Sequence, residues 1–125
     1  MTADRDLSFT PAVELLKLYR ARKASPLEVM QANLARIDAV NPQVNAIVTL
    51  ARESALRDAR RATAALRRGA ALPPLFGVPV GIKDVTATAG IRTTYGSKLF
   101  EDHLPDEDAL VTRTSSSSGL EALTA

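Results

Sequence analysis

The sequence predicts an α/β chain in which helices flank the start of a mixed sheet, and three observations carry that expectation. Residues 75–84, Leu-Phe-Gly-Val-Pro-Val-Gly-Ile-Lys-Asp, hold an apolar run with Val78, Val80 and Ile82. β-Branched residues at this density fit a short strand covered on both faces. Three helix-period stretches precede that run, each with its own start or stop signals. Between the last of them and the strand lies Gly69–Pro74, a linker whose paired prolines hold the chain extended.

The helices follow in chain order. Thr10-Pro11 is expected to open the first, with Thr as cap and Pro where a missing N–H costs nothing. Val13, Leu16 and Arg20 set against Leu15, Leu18 and Tyr19 place a broad apolar stripe on one side, and Arg20, Arg22 and Lys23 complement the negative pole of that helix. Ser25-Pro-Leu-Glu28 is a capping box opening a second helix, with Leu27, Met30, Leu34 and Ile37 on one face. Asn41-Pro42 is expected to close it. A short extended piece, 45–50, leads to a helix from about Ala51 to Arg68, which Gly69 stops.

The segment after the strand, 85–97, is dominated by Thr and small residues, with Gly90 and Gly96 at expected turns. Hydroxyl-rich loops at the carboxyl end of a strand are where α/β proteins hold ligands. Taken by itself the same composition also describes a surface loop whose hydroxyls bond their own backbone. Asp84 is expected to satisfy amides of this loop rather than pair with Lys83, because a neighbouring carboxylate favours the charged lysine. Glu101–Asp108 is an acidic loop in which Asp106 or Asp108 can cap a helix starting at Ala109. His103 is the sole imidazole and reads as a bystander.

Lys83 stands where the predicted strand gives out. An ammonium drawn into apolar surroundings loses hydration, and its neutral, proton-accepting form gains. The chain has twelve Arg and only four Lys, so a Lys at this position is a choice. From spacing alone, an ordinary strand-end lysine directed to water remains the commoner outcome.

Composition narrows the function classes. The 125 residues suit one domain, but 21 of the apolar residues are Ala and 4% of the chain is aromatic, so the core is lean. Absence of cysteine excludes disulfides and thiolate metal sites, and one His is too few for a histidine metal cluster. Neither a metal nor a cofactor is expected. The net charge is +2. Six Arg within 51–68 lie opposite mostly Ala, with no interleaved aromatic, which describes a solvated helix face rather than a nucleic-acid surface. The first residues lack a signal-peptide pattern and no run is long enough to span a membrane. A soluble cytoplasmic chain is therefore expected.

Three ordered stretches add a resemblance. Residues 75–84, then Thr88-Ala-Gly-Ile-Arg-Thr-Thr-Tyr-Gly-Ser97, then Pro105-Asp-Glu-Asp-Ala-Leu-Val111, together resemble the amino-terminal part of the amidase signature family. The resemblance implies hydrolysis of carboxylic acid amides by a Ser–cis-Ser–Lys triad, with Lys83 as the catalytic base and a small-molecule amide as substrate. It covers about residues 10–113. Beyond it the family carries a Gly/Ser-rich loop with the cis serine and a Gly-Gly-Ser segment with the nucleophile. Here residues 114–125 form a Ser-rich stretch that follows Lys83 too soon for that order and lacks the paired glycine. Residues 1–113 are thus expected to be the first part of an amidase domain, and 114–125 a divergent, disordered tail. A truncated amidase, inactive alone and prone to self-association through exposed apolar faces, is the expectation. The alternatives are a non-catalytic helical interaction module and a fragment of the amidase-type subunit of a tRNA-dependent amidotransferase.

Overall fold

The computed structural model describes residues 6–117 and 121–124. A short 3-10 turn at Leu7–Phe9 precedes α1 (Ala12–Arg20), α2 (Pro26–Val44) and α3 (Arg52–Arg67). Next come β1 (Pro79–Ile82), a 3-10 turn at Lys98–Phe100, α4 (Leu110–Ser117) and β2 (Glu121–Thr124). The two strands are parallel, Pro79 opposite Glu121 and Ile82 opposite Thr124. A parallel pair needs a crossover of a dozen or more residues, which the stretch between them, including α4, supplies. The chain is helix-rich with the beginning of a sheet, as expected of the α/β class. The expected boundary at residue 113 falls inside α4, and the structure described beyond it is the end of α4 and β2. The rest of the expected tail, 118–120 and 125, lies outside the described residues.

α2 opens on the predicted capping box. The Ser25 hydroxyl accepts from the Glu28 N–H at 3.3 Å, and the Glu28 carboxylate accepts from the Ser25 N–H at 2.8 Å. Its end is later than expected, because Pro42 lies inside the helix and Asn45, at φ 48°, makes the left-handed stop. Proline forfeits one N–H near the helix end, and the Asn41 side chain secures the exit by bonding both the N–H and the carbonyl of Ile47. α1 also differs from expectation. Thr10 donates its hydroxyl to the Asp6 carbonyl, so Pro11 rather than Thr10 occupies the cap position.

α2 and α3 form an antiparallel hairpin, with the Leu27 N–H donating to Thr63 at one end and Arg52 paired with Asp38 nearer the other. Small residues on α3 let the helices approach. Ala55 and Ala59 pack with Met30 and Leu34 in one cluster. Ala62 and Leu66 join Leu15, Leu18, Tyr19, Val29 and Phe76 in a second. The exposed face of α3 carries its arginines, as a solvated helix face should.

The second cluster holds the entrance to β1. Tyr19 is fully buried, and its hydroxyl donates to the Gly77 carbonyl at 2.9 Å. Gly77 has φ 69°, and a Cβ there would lie 2.6 Å from Pro26 Cγ. The close approach that glycine permits is therefore to α1 and the first turn of α2. Tyr19→Phe is expected to cost about 1–3 kcal/mol, because it strands a carbonyl in the core. Gly77→Ala is expected to cost at least as much, since left-handed strain adds about 1–2 kcal/mol to the overlap with Pro26. Urea unfolding midpoints of the two variants against the parent check both.

Candidate functional site

The candidate site is the carboxyl end of β1 and the turn that leaves it. Ile82 is buried and anchors the strand end, while Val80 is half-buried and Gly81 exposed. The expected strand covered on both faces is thus corrected: among the described residues β2 is the only strand paired with β1, and Gly81 is exposed. Lys83 is exposed as well. That is the outcome its spacing alone favoured, and no carboxylate among the described residues pairs with its ammonium. Its carbonyl accepts from the Thr86 N–H at 2.9 Å, closing a turn directly after the strand.

Asp84 engages the hydroxyl-rich loop rather than that ammonium. It accepts from the Thr94 N–H at 2.7 Å and from the Thr94 hydroxyl, while its own carbonyl accepts from the Tyr95 N–H at 2.9 Å. Partial burial pushes the carboxyl pKa up, but hydrogen bonds from the Thr94 side chain, the Thr94 N–H and the Gly96 N–H, with Arg92 nearby, outweigh it and leave the value lowered. The expectation that Asp84 serves loop amides is met. Tyr95, at φ 53°, and Gly96, at φ 68°, turn the chain at this point. The Tyr95 ring packs on Phe100 and His103, with centroids 5.3 and 5.8 Å away.

Three sets of bonds lace this loop to the rest. Arg92 donates to the Val48 carbonyl at 2.9 Å, the Thr49 hydroxyl at 3.1 Å and the Glu101 carbonyl at 3.3 Å. The Thr93 N–H reaches the His103 carbonyl, and the Gly90 N–H reaches the Pro105 carbonyl. Asp108, expected as a possible cap for the following helix, instead accepts from the Ala89 N–H at 2.7 Å. Thr112 donates back to the Ala87 carbonyl. Hydroxyls and amides of 86–97 are thus mostly engaged with backbone, and His103 acts as a packing partner. Arg92 as a three-way clamp was not read from the sequence. Its one signal there is a lone cation amid Thr and Gly.

The site can present one amine on a stiff strand-loop junction. No cluster of His, Cys, Asp or Glu among the described residues could hold a metal ion. No helix among them is long and apolar enough to cross a membrane.

Comparison with known proteins places this geometry. The amidase family model matches residues 28–123. The chain is 43% identical over 106 residues to a glutamyl-tRNA(Gln) amidotransferase subunit of Carboxydothermus hydrogenoformans, covering 85% of this chain and 22% of that relative. It is 39% identical over 108 residues to the acylamidase of Rhodococcus erythropolis, covering 86% of this chain and 23% of that one. Among solved structures, the peptide amidase of Stenotrophomonas maltophilia superposes with a TM-score of 0.82 at 28% identity, covering 98% of this chain and 24% of that enzyme. The chain therefore spans between a fifth and a quarter of the length of these relatives.

Asp84→Asn tests the loop anchor. A lowered folded-state pKa means the carboxylate stabilises fully above its unfolded value near 3.8, and the contribution is lost as pH falls through the lower folded value. The variant is expected to lose about 1 kcal/mol at neutral pH, and less in acid. Urea midpoints followed from pH 7 to pH 2 on parent and variant read the difference.

Proposed function

The chain belongs to the amidase signature family, and from that membership we propose that it carries the base-bearing segment of an amide hydrolase, with Lys83 as the base. The single observation behind this reading is the position of Lys83, immediately after the buried Ile82 and ahead of an anchored turn. In such a device a neutral lysine accepts a proton passed through a middle serine from the nucleophilic serine, which attacks the amide carbonyl. Backbone N–H groups then stabilise the oxyanion. The amine needs a dry enclosure to be neutral near pH 7. Lys83 is exposed in this chain, so the described residues do not supply that enclosure.

Groups that act as a catalytic unit fail as a unit, and a lone lysine is a weak catalyst. The chain by itself is accordingly read as inactive. Its substrate class is a small carboxylic acid amide, and a cytoplasmic setting fits the lack of cysteine. Relatives include both an acylamidase and an amidotransferase subunit. The Lys83–Thr88, Tyr95-Gly-Ser97 and Pro105–Asp108 stretches look more like the general amidases, and the relatives fit both readings.

The test is hydrolysis of an aryl amide by the purified chain, alone and mixed with the separately expressed remainder of the Rhodococcus acylamidase, meaning the portion beyond its matched segment. The expected result is the buffer rate for the chain alone, and hydrolysis in the mixture that Lys83→Ala abolishes. Turnover by the chain alone, or turnover in the mixture that survives Lys83→Ala, overturns the reading.

A further inference from the structure

One end of the α2–α3 hairpin carries a basic groove, and the other borders an acidic loop. At one end the α1–α2 turn, the start of α2 and the end of α3 enclose a groove of about 440 Å³. Arg22, Lys23 and Arg67 rim it, all exposed, and no carboxylate among the described residues pairs with them. Glu28, the one acid on the rim, is already bonded to Ser25. The groove floor includes apolar Ala24, Leu27 and Leu66.

The other end carries the acidic loop. Arg92 ties Glu101 to Val48 and Thr49, just past the end of α2. Asp102, Asp106 and Glu107 are exposed there, and Leu104 between them is 62% exposed. α2 has 19 residues. At 1.5 Å per residue the groove and the acidic loop lie about 28 Å apart, which prevents a loop from filling the groove of its own chain.

We infer that the acidic loop of one copy docks in the basic groove of a second copy, Leu104 seated on the apolar floor and Asp102 and Asp106 facing Arg22 and Arg67. Complementary sign is what selects a second copy as the occupant, since each molecule offers both halves of the contact. The contact is head-to-tail, so it leaves one groove and one loop free and propagates into short oligomers unless it closes into a ring. Exposed charges are screened within about 8–10 Å at moderate salt, which makes the assembly weak and salt-sensitive. This inference is independent of the amidase reading.

Sedimentation velocity on the whole chain tests it, with two variants, Arg22→Glu/Arg67→Glu and Asp102→Lys/Asp106→Lys, whose altered side chains are all exposed. The parent is expected to shift toward dimer and larger species with concentration at about 20 mM salt, and to return to monomer at about 0.5 M. Each variant alone is expected to stay monomeric, because the first makes groove and loop both acidic and the second replaces the two carboxylates that face the groove with repelling ammoniums. An equimolar mixture of the two is expected to associate again. A parent that stays monomeric at low salt overturns the inference. So does association that either variant retains, or that high salt leaves unchanged, since both place the contact on other apolar surface. Failure of the mixture to associate while the parent does so overturns the pairing of this groove with this loop.

Discussion

The hydroxyl of Tyr19 on the carbonyl of Gly77 is the contact from which the rest of the arrangement follows. It is a buried bond between residues 58 apart in the chain, made by a side chain with no exposed surface. A carbonyl in such a place must find a donor or cost the folded state its desolvation. The phenol is that donor, and Gly77 reaches it because no Cβ stands between its backbone and Pro26. With residue 77 held against α1 and α2, Val78 enters the core and β1 leaves in one direction only. Lys83 is carried by that direction.

The platform behind this contact is made by small residues. Ala55, Ala59 and Ala62 contribute little apolar area each, but they allow α3 to lie close on α2. Thr63 joins the helices by chemistry as well as shape, donating to the Ala59 carbonyl and accepting from the Leu27 N–H at the start of α2. That acceptor satisfies one of the N–H groups a helix start leaves open. A chain with so many alanines thereby keeps a defined helix pair, although its large side chains are few.

On the other side of β1 the constraint is polar. The loop after Lys83 is not packed into an apolar core, and its shape comes from backbone groups bonded to Asp84, Arg92 and Asp108. Charged partners make such bonds stronger than neutral ones. Family membership gives this rigidity a purpose in the proposed reading, since a base must be presented at one angle. It does not supply the dry surroundings the base needs: Lys83 is exposed, as its spacing alone favoured, and the exposed Gly81 beside it is the plainest departure from the strand pattern.

The amino-acid sequence by itself determined the local elements whose causes are local: the Ser25–Glu28 capping box, the helical stripes of α1 to α3, the glycine stop at residue 69, and the motifs that mark the family. It also placed Asp84 on loop amides, because that carboxylate and its partners lie only ten residues apart. Other features rest on tertiary contacts. The cap of α1 and the end of α2 shifted because Thr10 and Asn41 found backbone partners outside the helix pattern. Asp108 chose a loop amide over the helix cap its neighbours in sequence offered, and Arg92 found the Val48 carbonyl, 44 residues away. The exposure of Gly81 was beyond the pattern for the same reason. A run of β-branched residues specifies that a strand wants covering, whereas how much covering it receives depends on what other elements pack there.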